Sequence, residues 1–252
     1  MGQLTLQLSN YVINYFYRSE YVLVSMKTSN RSLLFIRTIL VYIIGLLLVG
    51  LMIFLPAGSL KFWNGWLFLG ALFIPMLCVL IYLLFKDPDL LARRMKTREK
   101  EKTQKAYLIL SLILFLVAFT VPGLDFRFNW SNVPLAVVLI STLIMMTGYL
   151  IFFIVMRQNT YASRIIEITD GQKLIDTGLY SHVRHPMYLG ATILYGFAPL
   201  VLGSFYALIP MIFLPLLLIL RIKNEEKVLV KGLKGYEEYM KMVKYRLVPF
   251  IW

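Results

Sequence analysis

Residues 178–190 read GLYSHVRHPMYLG and lead directly into a long apolar run at 187–220. This stretch, called the histidine strip below, contains both histidines of the chain, His182 and His185. The residue before a proline is disfavoured in the α-helical conformation, whereas proline suits the first turn of a helix. The sequence therefore predicts that a helix begins near Pro186, with His185 at its cap.

The apolar run 187–220 is too long for one membrane span, which needs about 20 residues. A turn near Leu202-Gly203-Ser204 divides the run into two short helices. We therefore expect a helical hairpin, which returns the segment after residue 220 to the side of the membrane that holds the histidine strip.

The rest of the chain has the composition of a membrane protein. Of its 252 residues, 59% are hydrophobic and 15% charged, and its mean hydropathy is +0.72. Soluble domains are nearer half apolar and a quarter charged. We therefore predict an all-α polytopic membrane protein with about six transmembrane helices, the third of them closing at Val121-Pro122-Gly123. The predicted spans are 33–55, 62–85, 106–121, 133–156, 187–202 and 205–220.

Positive charge is divided very unequally between the segments that join these spans. Alternate assignment to two sides puts 24 of the 26 Lys and Arg residues on one side. Basic loops stay cytoplasmic, so both termini are expected in the cytoplasm. The net charge of +13 then indicates orientation and attraction to anionic lipid headgroups. No nucleic-acid-binding module is recognisable, so no nucleic-acid partner is expected.

Three regions are predicted along the chain. Residues 1–32 form an interfacial or loose N-terminal segment. Residues 33–156 hold four spans and a basic cytoplasmic loop at 86–105, expected as a solvated helix or turn. Residues 157–252 carry the hairpin, the candidate site and a cytoplasmic C-terminal helix.

Charged residues follow the hairpin at Arg221, Glu225 and Glu226. If the hairpin returns them to the level of Arg184 and His185, a polar cluster forms beside apolar walls, which is a functional hypothesis by default. The alternative is an interfacial anchor in which these charges only hold the helix ends in place. Two histidines three residues apart, without cysteine nearby, do not indicate a metal site.

The C-terminal half, from about Asn159, resembles the isoprenylcysteine carboxyl methyltransferase family and, more broadly, the related phospholipid methyltransferases. The resemblance rests on motifs in the same order and spacing. They are Gly178-Leu179-Tyr180, Val183-Arg184-His185-Pro186-Met187-Tyr188 with Gly190, Arg221, Glu225-Glu226, Tyr236-Glu237-Glu238-Tyr239 and Pro249-Phe250.

The resemblance implies an integral membrane enzyme that uses S-adenosylmethionine and takes a lipid or prenylated substrate from the bilayer. A monomer is expected, since the pocket would lie within one chain. The residues it implies for catalysis are Arg221, Glu225 and Arg184. For cofactor binding they are Gln172, Lys173, Leu174, Ile175, Tyr180, His185, Pro186, Met187, Tyr188, Glu225 and Glu226. Gln172 replaces a histidine that the family often has there.

Two hypotheses add detail to this picture. Glu225 would receive the ammonium group of the cofactor, and the helix start at Pro186 would receive its carboxylate. The preferred acceptor is a prenylcysteine-like carboxylate, held by Arg221. The alternatives are an amine acceptor on a phospholipid, an NADPH-dependent sterol or enone reductase, and a membrane scaffold without catalytic activity.

Overall fold

The computed structural model describes residues 31–96, 102–166, 168–169 and 171–252. These residues form helices and connecting segments, with no strand among them. Residues 1–30, which make up most of the predicted N-terminal segment, lie outside the described residues. The helices are α1 (Arg31–Ala57), α2 (Trp63–Lys86), α3 (Pro88–Arg94), α4 (Lys102–Phe128), α5 (Leu135–Gln158), α6 (Pro186–Val201), α7 (Leu208–Met211), α8 (Phe213–Gly232) and α9 (Tyr236–Met242), with a 3₁₀ turn at Gly178–Ser181.

Four helices, α1, α2, α4 and α5, are long and apolar enough to cross a membrane. The chain is therefore a multi-pass membrane protein. The other two predicted spans differ from these four. Helix α6 is apolar but has only 16 residues, which reach about 24 Å against a hydrocarbon core of about 30 Å. Helix α8 is apolar only in its first half and charged in its second.

The prediction that the third span closes at residues 121–123 is wrong. Helix α4 continues through Pro122 to Phe128. Proline is tolerated in membrane helices because neighbouring groups can satisfy the backbone that it frees. Gly123 then lies so close to α1 that an added Cβ would collide with the carbonyl oxygen of Ile53. The small residue therefore serves close packing of α4 on α1, not termination of a helix.

Helices α5 and α6 cross closely at Gly148 and Gly190. A Cβ on Gly148 would lie 2.8 Å from the carbonyl oxygen of Gly190, and the reverse distance is 3.0 Å. Small residues at such a crossing let two backbones approach. This contact fixes the start of α6, and hence the histidine strip, against the end of α5.

The predicted hairpin is present, and its turn is held by buried polar side chains. Asp125 accepts hydrogen bonds from the Ser131 backbone N–H and hydroxyl, both at 2.6 Å, and from the Ser204 hydroxyl. Asn64 donates to the Val201 carbonyl at 3.0 Å. We call Asp125, Ser131 and Ser204 the turn clamp. From this turn the chain passes through α7 into α8, which returns to the histidine strip.

Part of the predicted basic loop is packed against the bundle instead of being solvated. Asp87 caps α3 by accepting from the Leu90 N–H at 2.9 Å, and Leu90 and Leu91 are buried. Arg93 donates to the carbonyl of Thr160 at 2.6 Å. Helix α3 thus supports the segment that follows α5, and that segment forms one wall of the site described next.

Candidate active site

A cavity opens between the histidine strip, the segment after α5, and helices α8 and α9. Its volume is about 110 Å³. Most residues that the sequence indicated for the site line this cavity, namely Gln172, Lys173, Leu174, Ile175, Tyr180, Arg184, His185, Pro186, Met187, Tyr188 and Glu225.

The backbone of the histidine strip is hydrogen-bonded to the C-terminal segment of the chain. Helix α6 begins at Pro186 with His185 as its cap, as predicted. The backbone N–H of Arg184 donates to the Tyr245 carbonyl at 2.9 Å, and that of His185 donates to the Arg246 carbonyl at 2.8 Å. Because Pro186 has no N–H and the His185 N–H is already used, the start of α6 offers fewer donors to an anion than the sequence indicated.

Glu226 is the centre of a buried ionic group that we call the Glu226 cluster. One of its oxygens accepts from Arg184 Nε and the other from Arg246 Nε, both at 2.7 Å. Arg184 also donates to the carbonyls of Val243 and Lys244, at 2.6 and 2.9 Å. The cluster therefore ties the C-terminal segment to both the histidine strip and α8.

The electrostatics of Glu226 follow from this arrangement. Burial by itself raises the pKa of the carboxyl, but its contacts with His185, Arg184 and Arg246 outweigh burial and lower the pKa to about 2. Glu226 is thus ionised throughout the physiological range.

These contacts show how two of the predicted site residues are bonded within the chain. Arg184, expected to act in catalysis, uses its guanidinium to hold the C-terminal segment. Glu226, expected to bind the cofactor, does not line the cavity, and both its oxygens are taken by guanidinium groups. Sequence spacing does not reveal this, because the partner Arg246 belongs to a segment that the tertiary fold brings back to the strip.

A chain of hydrogen bonds joins Glu225 to Arg221 through Tyr188. The Tyr188 hydroxyl donates to Glu225 Oε2 at 2.6 Å and accepts from Arg221 Nε at 2.7 Å. Arg221 also donates to the carbonyl of Arg164 at 2.7 Å, and its guanidinium carbon lies 4.9 Å from the centre of the Tyr107 ring. Arg221 is buried and does not line the cavity. It lies on the α4 side of Tyr188, while Glu225 is on the cavity wall.

The opposite wall is fixed by hydrogen bonds around Tyr180. Its hydroxyl accepts from Asn159 Nδ2 at 2.9 Å, and its carbonyl accepts from the Tyr239 hydroxyl at 2.7 Å. Burial raises the pKa of Tyr180 to about 12, so the hydroxyl stays neutral. Gln172 Oε1 accepts from the Thr169 N–H at 3.1 Å, which holds this side chain within its own loop. This side of the cavity is ordered by its own contacts.

Two buried polar atoms of cavity-lining residues have no hydrogen-bond partner within the part of the chain that the structure describes. They are His185 Nε2 and the hydroxyl oxygen of Tyr236. His185 Nε2 lies 3.4 Å from Glu226 Oε1, close enough to lower the pKa of that carboxyl but without the geometry of a hydrogen bond. Buried polar groups are nearly always hydrogen-bonded, so both atoms indicate that the cavity is built to receive a polar ligand.

Sequence reasoning missed the cavity-lining residues of the segment after α5 and several residues on or near α8 and α9. Residues of the segment after α5 carry no chemical motif, and they become visible only when α3 supports that segment. The tyrosines of α9 belong to a motif that carries the resemblance, but the sequence did not indicate them as site residues. The missed residues are Asn159, Tyr161, Ala162, Ser163, Ile165, Ile166, Leu229, Leu233, Tyr236 and Tyr239.

Comparison with known proteins gives one result for this region. The model of the isoprenylcysteine carboxyl methyltransferase (ICMT) family matches residues 138–231. No curated protein matches the chain. The matched segment runs from α5 through the histidine strip and hairpin to the charged half of α8, so it contains the Tyr188, Glu225 and Arg221 chain. The family match gives no support to the reductase or amine methyltransferase alternatives.

The family match and the four apolar helices together describe a membrane methyltransferase. Over residues 138–231, which contain most of the residues that line the cavity, the chain is similar to the isoprenylcysteine carboxyl methyltransferase family.

Proposed function

We propose that this chain transfers a methyl group from S-adenosylmethionine to the carboxylate of a prenylcysteine-like or other lipid-borne acceptor. The observation that carries the proposal is the position of Tyr188 between the cavity and the buried side chain of Arg221. On one side its ring lines a cavity with Glu225 and the unpartnered nitrogen of His185. On the other side it meets the buried guanidinium of Arg221 beside α4.

The residues present fit S-adenosylmethionine. Glu225 supplies a carboxylate for its ammonium group, and His185 Nε2 supplies a buried ring nitrogen in need of a partner. Lys173, which is exposed and lines the cavity, supplies a cation for its carboxylate. We assign the carboxylate to Lys173 and not to the α6 start, because the donors there are largely used. When bound, the cofactor supplies an electrophilic methyl group on a sulfonium sulfur.

The main task of the protein in this reaction is to position the acceptor carboxylate against the methyl group. With the cofactor bound, a carboxylate oxygen of the acceptor would take the methyl group, and the electron pair of the broken carbon–sulfur bond would stay on sulfur. The products are a methyl ester and a thioether, and no proton is released because the acceptor is already ionised at neutral pH. Alignment of the reacting atoms is the main contribution, with an upper bound of about 7–11 kcal/mol in ideal systems.

In this proposal Arg221 holds the acceptor carboxylate, and Tyr188 with Glu225 positions Arg221. The guanidinium is well suited to this task because its forked donors match a carboxylate. Its neighbour Tyr107 is on α4, a candidate membrane span with exposed apolar side chains such as Ile113 and Leu116. An acceptor with a lipid tail would therefore approach Arg221 from the bilayer.

The proposed orientation places the cavity and both termini in the cytoplasm. Its support is the concentration of Lys and Arg in the segments near the cavity, which attract anionic headgroups and stay cytoplasmic. The described walls of the cavity all come from one chain, which favours a functional monomer.

The proposal is tested with the full chain purified in detergent. We expect S-adenosylhomocysteine to bind in isothermal titration calorimetry and NADPH not to bind. We then expect labelled methyl groups to be transferred to N-acetyl-farnesylcysteine. Mild base separates the possible products, because it releases methanol from a methyl ester but leaves an N-methyl group in place.

Three outcomes contradict the proposal in different ways. Base-stable label on phosphatidylethanolamine identifies an amine acceptor. Binding of NADPH alone identifies a reductase. Binding of neither nucleotide supports the alternative of a membrane scaffold without catalytic activity. The matched control is Glu237→Gln, an exposed carboxylate on α9, which leaves binding and transfer unchanged.

A further inference from the structure

Two buried tyrosines on α9 differ in one respect. Tyr236 and Tyr239 are 3% and 1% exposed, both line the cavity, and their ring centres are 5.6 Å apart. The Tyr239 hydroxyl donates to the carbonyl of Tyr180 at 2.7 Å. The Tyr236 hydroxyl has no partner among the residues that the structure describes.

An unpartnered hydroxyl at this depth is a net loss for the folded protein. Burial removes it from water without a compensating hydrogen bond, whereas phenylalanine would fill the same space without that loss. A structural role for the Tyr236 hydroxyl therefore has no visible contact to support it. Its position on the cavity wall means that a ligand in the cavity can supply the missing partner.

The surroundings of Tyr236 select the kind of ligand group. Burial first, and then the negative charges of Glu226 and Glu225, raise the pKa of the Tyr236 hydroxyl, so it stays neutral. The guanidinium of Arg184 acts in the opposite direction but is already paired with Glu226. Of these carboxylates only Glu225 lines the cavity. This end of the cavity therefore favours a positively charged hydrogen-bond donor.

We propose that Tyr236 is a ligand-binding residue whose hydroxyl oxygen accepts a hydrogen bond from the cationic amino group of the bound cofactor, next to Glu225. This inference rests on the proposed function, since it names a contact within the same cavity. It assigns to α9 a direct part in recognising the amino-acid end of the cofactor, beyond roofing the cavity.

The test compares Tyr236→Phe with Tyr239→Phe, using two probes. S-adenosylhomocysteine has the amino-acid end, and 5′-methylthioadenosine lacks it. We expect Tyr236→Phe to bind S-adenosylhomocysteine about 10-fold more weakly, as for a hydrogen bond to a charged group, while methylthioadenosine binds as before. Its apparent melting temperature without ligand should be unchanged or higher, because an unsatisfied group is removed.

Tyr239→Phe serves as the matched control. It leaves the Tyr180 carbonyl without its donor, so the melting temperature should fall. The ratio of the two probe affinities should stay at the wild-type value, because no contact to the amino group is lost. A purely structural Tyr236 would behave like this control.

The proposal is overturned if Tyr236→Phe binds S-adenosylhomocysteine as tightly as the wild type. It is equally overturned if both probes weaken by the same factor, because the contact would then be on the nucleoside. If the wild-type protein binds neither probe, the proposed function fails instead.

Discussion

The two ends of the α6–α8 hairpin are both closed by buried polar groups, but only one end leaves some of them without partners. At the turn clamp, Asp125 accepts three hydrogen bonds, and no unpartnered polar atom is found on its three residues. At the other end the Glu226 cluster is equally complete, yet His185 and Tyr236 beside it each keep an unpartnered buried atom. Burial is similar at both ends, so burial does not explain the difference.

The difference shows which polar groups hold the fold and which await a ligand. A satisfied network fixes the geometry of the elements around it. An unsatisfied atom costs free energy in the folded state, so one on the wall of a cavity indicates a ligand that supplies its partner. By this criterion the turn clamp and the Glu226 cluster are structural, and the wall formed by His185 and Tyr236 is the binding surface.

The largest effect is expected from Glu226→Gln. The change leaves the buried guanidinium of Arg184 without its counter-charge, so the free energy of unfolding should fall by about 3–5 kcal/mol. Chemical denaturation in detergent measures it. If the variant is as stable as Glu237→Gln on the same side of the protein, the Glu226 cluster does not hold the C-terminal segment.

The same residue predicts how stability depends on pH. The pKa of Glu226 is about 2 in the folded protein against an ordinary value of 4.5. The ionised form is therefore stabilised by folding, and its contribution, about 3 kcal/mol, is present above pH 4.5 and lost as the pH falls toward 2. Denaturation between pH 6 and 2 should show this loss in the wild type and not in Glu226→Gln. Identical slopes in both proteins would contradict the assignment.

A smaller effect is expected at the turn clamp. Asp125→Asn can keep an oxygen on the Ser131 N–H, but its amide then faces the hydroxyls of Ser131 and Ser204. Both hydroxyls lose their acceptor, which should cost about 1–3 kcal/mol of stability. The affinity for S-adenosylhomocysteine should not change, since the cavity is at the other end of the hairpin. A loss of affinity at constant stability would show that the turn clamp contributes to ligand binding and not only to the fold.

The smallest effect on the fold is expected from Glu225→Gln. The amide oxygen can still accept from Tyr188, so the melting temperature should stay near that of the wild type. The affinity for S-adenosylhomocysteine should fall about 10-fold, because a charge-assisted hydrogen bond to the ammonium is lost. Calorimetry with methylthioadenosine is the control, and normal affinity for S-adenosylhomocysteine would refute the contact.

The parts of the site that the sequence predicted are those governed by local physics. Helix α6 begins at Pro186 because proline is favoured in a first turn and restricts the residue before it. The hairpin follows from the length of the run 187–220, although its second arm runs further than expected, to Gly232. Arg221 and Glu225 are one helical turn apart, so their common face was also predictable.

The parts that were missed depend on contacts distant in sequence. Arg246 reaches Glu226 only because the C-terminal segment turns back under the strip. Arg184, predicted as a catalytic residue, bonds there to Glu226 and to the carbonyls of Val243 and Lys244. Helix α4 runs past Pro122 because α1 packs closely on Gly123 there, a neighbour that no local pattern reveals.

By itself, the sequence determined that this is a multi-pass helical membrane protein with a polar strip at the start of a hairpin, because hydrophobic length and proline act on nearby residues. Tertiary structure alone decided which charged side chains pair with each other within the fold and which polar atoms remain for a ligand. Hydrogen bonds and ion pairs are short-ranged, and in this molecule they join residues that only the completed fold brings within reach of each other.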